Sequence, residues 1–192
     1  VTQETSRQTR LWLIRHAPVE GPRGIIHGPD APANLSDTAA LLRLRFLLPS
    51  PHVAISSPAR RARETAVALG LAAVADASFG EQDFGSWTGR THEEIRRDSG
   101  SAYDAFWRAP ATNRPPGGES FVEQVARVRI GIEALPAGDA ILVAHAGTIR
   151  AALALALEMP PDNALRFVID PLSVTRLDRL DNAWRVVAVN RG

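Results

Sequence analysis

The sequence predicts an α/β fold: a three-layer α/β/α sandwich whose mostly parallel central sheet carries an antiparallel edge strand. Three observations predict it. Short apolar runs alternate with segments of helical pattern along the 192 residues. Two of those runs, "LWLIR" and "AILVA", are close to continuously apolar, as strands covered on both faces are. Each of the two is followed at once by a histidine, His16 and His145, at the point where such folds place reactive groups.

The elements follow in order. Residues 1–9 are polar, lack the apolar core of a signal peptide and read as a disordered lead-in to a single domain over 10–192. "RLWLIR" is the first strand. "SDTAALLRLRFLL" reads as a helix with Ser36 as N-cap and Pro49 beyond its end. "HVAIS", opened by His52, is the next strand. "SPARRARETAVALG" has Ser57 for an N-cap, Pro58 for the first helical position and Gly70 for the C-cap. "EQDFGSWTG" is rich in glycine and aromatics and reads as irregular. Thr91 and Glu94 have capping-box spacing at the start of "THEEIRR". The loop "APATNRPPGGES" leads into a helix from Ser120 to Leu135. "AILVAH" is a strand, and "GTIRAALALALEM" a helix closed by Pro160-Pro161. "ALRFVID", "LSVTRLDRL" and "AWRVVAVN" read as strands, the last two joined at Asp181-Asn182.

Composition excludes several functions. The formal net charge is +1, with no basic stripe interleaved with aromatics, so neither nucleic acid nor an acidic membrane surface is an expected partner. No apolar run reaches the roughly 20 residues of a membrane span, and a cytoplasmic location is expected. Cysteine is absent, which removes disulfides and thiolate chemistry. All 22 basic residues are arginine, which removes Schiff-base and P-loop lysine chemistry.

Arg15-His16, Arg60 and Arg61, Glu81 and His145 together form a chemical set. Helix N-termini and guanidiniums converging at the strand ends suit a phosphoryl dianion. A neutral imidazole there can attack phosphorus. Guanidiniums and a second histidine can stabilise charge on the transferring oxygens, with no metal or cofactor required. Glu81 is the candidate acid and base, on the expectation that phosphate and partial burial raise its pKa.

These residues sit in stretches that resemble the histidine phosphatase superfamily, the phosphoglycerate-mutase-like or RHG phosphatases, over most of the chain. "LIRHA" resembles its nucleophile motif and implies His16 as nucleophile with Arg15 binding phosphate. "SSPARRARETA" resembles the second-arginine segment, in a register that selects Arg61 rather than Arg60. "EQDFGSWTG" resembles the loop of the acid/base, Glu81. "PPGGES" resembles a Pro-Gly-Gly-Glu-Ser loop. "LVAHAGTIR" resembles the second-histidine motif, with Arg150 as a structural follower. The resemblance implies phosphomonoester hydrolysis through a phosphohistidine on a small phosphorylated substrate. Phosphoglycerate mutase and non-catalytic phosphoryl binding are the alternatives. "RLWLIRHAPVEG" is also similar to α-ribazole phosphatase-like members, which adds α-ribazole 5′-phosphate to the implied substrates. Self-association as a homodimer is left open.

The chain departs from that pattern at Ala17 and Ala146, where glycine is usual, and at Pro22, where asparagine is usual. Proline has no side-chain donor, and His27 and Asn34 are candidates to supply one in its place. Trp107, with Tyr103 and Phe106, is a candidate wall for a leaving group. Glu119 is either a helix-start acid or a substrate contact. His52 and His92 read as non-catalytic, Trp87 as core, and Arg60 as a solvated helix residue.

Overall fold

A computed structural model describes residues 8–51, 53–181 and 183–192. Strands β1 (Thr9–Arg15), β2 (Val53–Ser56), β3 (Val74–Ala75), β4 (Gly138–Ala144), β5 (Val174–Arg179) and β6 (Trp184–Arg191) form one sheet. Their order is β3-β2-β4-β1-β5-β6. β1, β2, β3 and β4 run parallel, and β5 runs against both β1 and β6. The reversed strand therefore lies one in from the edge, because β5 and β6 are a hairpin. The expectations for His52, for the turn residue Asn182 and for residues 1–7 of the lead-in fall outside the described residues; β1 includes Thr9.

Helices α1 (Thr38–Leu47), α2 (Arg60–Ala68), α3 (His92–Arg108), α4 (Phe121–Glu133), α5 (Ala146–Ala156) and α6 (Pro161–Ala164) complete the layers. Strand alternation builds two cores. On β4, Ala140, Leu142 and Ala144 pack with Phe121, Val128 and Leu153 of α4 and α5. Ile141 and Val143 face the other way, into Leu41, Leu44, Ala62 and Ala66 of α1 and α2. That is why the β4 run is apolar without alternation. A third cluster joins Trp87 to Ile95, Tyr103 and Phe106 of α3.

Several local expectations hold. Thr91 with Glu94 forms the expected capping box, and Ser120, the expected helix start, is the N-cap of α4 and forms a further box with Glu123. Others need correction. The N-cap of α1 is Asp37, not Ser36, since Asp37 accepts from Ala40 N–H. The N-cap of α2 is Ala59, without a side-chain bond of its own, so Pro58 precedes the first helical position; Ser57 Oγ accepts from Ala59 N–H at 3.2 Å and also meets His145. "ALRFVID" is not a strand. Its carbonyls are taken by guanidiniums: Ile169 O accepts from Arg15 and Phe167 O from Arg150. The segment therefore closes over the end of β1 instead of joining a ladder.

The glycine-rich loops pack backbone against backbone. Gly85 has φ +53°, and a Cβ there would overlap Pro116 O and stand 2.6 Å from Gly117 C. Ser86 N–H donates to Pro116 O at 3.0 Å, tying the loop of Glu81 to "PPGG". Gly85→Ala is expected to destabilise the protein by about 3 kcal/mol, from left-handed strain plus a backbone clash. Gly89→Ala, where φ is +84° but no atom lies within 4 Å, is expected to cost about 1 kcal/mol. Urea unfolding of the two variants checks the difference.

Candidate active site

Register assembles the site. Arg15 on β1 is partnered with Ala144 on β4, so the next residues, His16 and His145, emerge side by side. Their ring centroids are 5.0 Å apart. Ser56 on β2 is partnered with Val143, which sets Ser57 beside His145. The place is the carboxyl end of the sheet where the chain has crossed from β1 over β4 to β2, the crevice in which open α/β sheets hold ligands.

His16 is 4% exposed. Its Nδ1 lies 2.6 Å from Ala17 O, and a carbonyl only accepts, so Nδ1 carries the proton. Nε2 is then a lone pair, and it accepts from Arg61 Nε at 3.2 Å. Thr65 Oγ1 fixes the backbone beyond, accepting from Ala17 N–H at 3.0 Å. Burial holds the His16 imidazole well below its ordinary pKa, and the neighbouring Arg61 charge adds to the effect. His145 is fully buried and likewise lowered, first by burial and then by Arg61, Arg15 and Arg127. Both rings are therefore neutral near pH 7.

Arg61 is the hub. It donates to His16, to Gly28 O at 2.7 Å and to His145 Nδ1 at 3.3 Å. Because a guanidinium only donates, His145 Nδ1 is an acceptor and its proton sits on Nε2, 2.7 Å from Ser57 Oγ. Arg15 donates to Ile169 O, while its buried Nε has no hydrogen-bond partner among the described residues. Burial lowers the pKa of both guanidiniums, which remain charged. Glu81 enters from its loop, with Oε2 3.8 Å from His145 Nδ1 and Oε1 accepting from Gln82 N–H at 3.0 Å. Among the described residues, no three His, Cys, Asp or Glu side chains gather as metal ligands. Two imidazoles, two guanidiniums and one carboxyl thus converge, an arrangement able to bind an anion, attack it and transfer a proton.

The other candidates are placed as follows. His27 is half-buried and directly precedes Gly28, whose carbonyl accepts from Arg61; burial followed by the Arg61 charge lowers its pKa. Asn34 is exposed and its carboxamide oxygen accepts from Ser36 N–H at 3.0 Å; the structure does not bring it to the site. Pro22 lies in an exposed stretch. Glu119 neither starts a helix nor faces the pocket. It pairs with Arg127 and accepts from Asp83 N–H at 3.1 Å, bracing the Glu81 loop. Trp107 is 48% exposed and lines a cavity of about 240 Å³ with Phe84, Phe106, Phe121, Arg150 and Glu81. Trp87 is core, as expected. Arg60 is exposed and pairs with Glu64 at 2.7 Å. Sequence reasoning misses Ser57 and Thr65 as site residues. Each looks like an ordinary helix residue, and a polar side chain on the inward face of an alanine-rich helix is the available signal.

Comparison with known proteins places this geometry. The family model of the histidine phosphatase superfamily (branch 1) matches residues 11–192. A glucosyl-3-phosphoglycerate phosphatase of Mycobacterium tuberculosis is 34% identical over 177 residues, covering 82% of this chain and 79% of that protein. The native structure of a mycobacterial glucosyl-3-phosphoglycerate phosphatase superposes with a TM-score of 0.83 at 29% identity, over 97% of this chain and 100% of the other. The α-ribazole phosphatase of Shigella flexneri shares the fold, with a TM-score of 0.85 at 24% identity over 94% and 96% of the two chains. The protein belongs to the histidine phosphatase superfamily and is a phosphoric monoester hydrolase.

Proposed function

We propose that the protein hydrolyses a small phosphorylated metabolite through a phosphohistidine on His16, without a metal. The observation that carries this reading is the His16 tautomer. With its Nδ1 proton given to Ala17 O, Nε2 presents a lone pair among guanidinium donors. An arriving phosphoryl group takes the donors of Arg15 and Arg61, and its negative charge favours protonation of His145, which then donates as well.

The His16 Nε2 lone pair forms the N–P bond as the ester P–O bond breaks. The leaving oxygen keeps that bond's electron pair and takes the proton of Glu81. Water then attacks phosphorus and gives its proton to the Glu81 carboxylate. The N–P electron pair returns to Nε2, and orthophosphate leaves. The charge on the transferring oxygens is met by arginine, so the reaction needs no metal.

The cavity beside Glu81 is the place for the leaving group. Its lining includes Phe84, Phe106, Trp107, Phe121 and Leu165, together with Arg150. That lining suits a compact alcohol with an apolar or ring face and an anionic substituent. Glucosyl-3-phosphoglycerate fits that description, and α-ribazole 5′-phosphate fits its ring part.

The test is orthophosphate release from glucosyl-3-phosphoglycerate, α-ribazole 5′-phosphate, 3-phosphoglycerate and an aryl phosphate, with EDTA present. Release from one metabolite with kcat/KM at least about 10²-fold above the aryl ester is expected. An isomerised phosphoglycerate instead of orthophosphate would establish a mutase. Loss of activity in EDTA would overturn the metal-free mechanism, and tight phosphate binding with no turnover would favour a binding protein.

A further inference from the structure

Gln124 has no part in the chemistry just described, yet it is completely buried and lies against Glu81. It is the fourth residue of α4, on the face that also carries Phe121, Val125 and Val128. An apolar residue would suit that position. Instead, Gln124 Nε2 donates to Gly80 O at 3.2 Å and to Glu81 Oε1 at 3.5 Å, while its own Oε1 has no hydrogen-bond partner among the described residues. Leaving a buried acceptor unpaired is costly, so the donor end must supply something an apolar side chain could not.

The orientation of the amide is settled by its surroundings. Gly80 O also receives Thr148 Oγ1 at 3.1 Å and Arg127 at 3.3 Å, so it accepts from every neighbour. A flipped amide would set its oxygen against that carbonyl and against the Glu81 carboxylate. Space is reserved for the pair as well. A Cβ on Gly147 would overlap Glu81 Oε1 and stand 2.9 Å from Gln124 Oε1. A glycine at the start of α5 is what lets the two side chains meet.

Resting on the reading of Glu81 as acid and base, we infer that Gln124 is a positioning residue that directs the Glu81 proton to Oε2, the oxygen on the His145 side. Glu81 Oε1 receives two donors, Gln82 N–H and Gln124 Nε2. An oxygen already accepting two N–H groups is a poor place for an O–H. The proton of the acid form therefore goes to Oε2, the oxygen turned toward His145. The arrangement acts on the proton transfer to the leaving group and leaves the phosphate ligands untouched.

Leaving groups separate this role from a merely structural one. An alkyl ester needs the proton, whereas an acidic phenol leaves without it. kcat/KM is measured on β-glycerophosphate and on 4-nitrophenyl phosphate, together with inhibition by orthophosphate and the thermal midpoint. Gln124→Met is expected to lose about 10-fold on the alkyl ester and less than about threefold on the aryl ester, with orthophosphate inhibition unchanged. Gln124→Asn keeps the amide but shortens the side chain by one methylene, which withdraws the donor from Glu81, and is expected to show the same selective loss. Its result decides if Gln124→Met does not fold. Glu81→Gln, measured alongside, is expected to show a larger loss with the same selectivity. Equal losses on both esters, or none, in the Gln124 variants while Glu81→Gln remains selective would overturn the role of Gln124 alone. A Glu81→Gln variant without selectivity would overturn the reading of Glu81 and this inference with it.

Discussion

His16→Ala is expected to lower orthophosphate release by at least about 10⁴-fold, because it removes the atom that forms the bond to phosphorus. The pocket's other ligands remain, so orthophosphate should still bind. The decisive measurement is covalent. Rapid acid-free quenching of the wild type with labelled substrate should trap a phosphoprotein that is stable to base and labile to acid. The variant should trap none. A label that persists in His16→Ala would move the nucleophile elsewhere. His145 is the nearest alternative: its Nδ1 lone pair accepts from Arg61, as His16 Nε2 does, and its Nε2 proton faces Ser57. The covalent label therefore distinguishes two residues that look alike in sequence: the Ala17 carbonyl fixes the His16 lone pair on Nε2, and Arg61 fixes the His145 lone pair on Nδ1.

Arg61→Met is expected to lower kcat/KM by about 10²- to 10³-fold and to weaken orthophosphate inhibition in parallel. One guanidinium bonds both histidines and Gly28 O, so its loss removes charge stabilisation and unfastens both rings at once. The neighbouring residue is the control. Arg60 has a side chain 52% exposed and an i,i+4 pair with Glu64, and exposed pairs of that kind contribute little. Arg60→Ala is expected to stay within about twofold of the wild type in kcat/KM, with a stability change of under about 0.5 kcal/mol. Equal effects at the two positions would show that charge near the pocket, rather than the geometry of Arg61, is what counts.

Much of this is legible in the chain because it rests on near neighbours. Apolar runs and helical periodicity report which residues face a core. Thr91 with Glu94 and Ser120 with Glu123 announce two helix starts, since the capping residues lie three apart and need nothing from elsewhere. The histidines at the ends of two buried strands, the pair Arg60 and Arg61 in the first turn of α2 and the glutamate in its glycine-rich loop can be picked out for the same reason, whereas the choice of Arg61 over Arg60 comes from the family resemblance. Neighbour physics taken alone also misleads. Ser57 makes a good N-cap on paper, but its hydroxyl is drawn 2.7 Å from a histidine 88 positions away. "ALRFVID" has the composition of a strand, but its carbonyls serve Arg15 and Arg150.

What tertiary structure alone decided is which of these groups touch, and through which atoms. The one-residue register of β1 against β4 puts the two imidazoles together, and a slip of one residue would turn one of them to the opposite face. The tautomer of each ring follows from a carbonyl or a guanidinium that the folded chain sets against it. Gln124 and Gly147 carry no local mark of their task, because it consists of a meeting of α4, α5 and the Glu81 loop. The sequence determined the inventory of reactive groups and the strand ends that bear them. Long-range hydrogen bonds, formed once the sheet was in register, determined the proton positions on which the proposed mechanism depends.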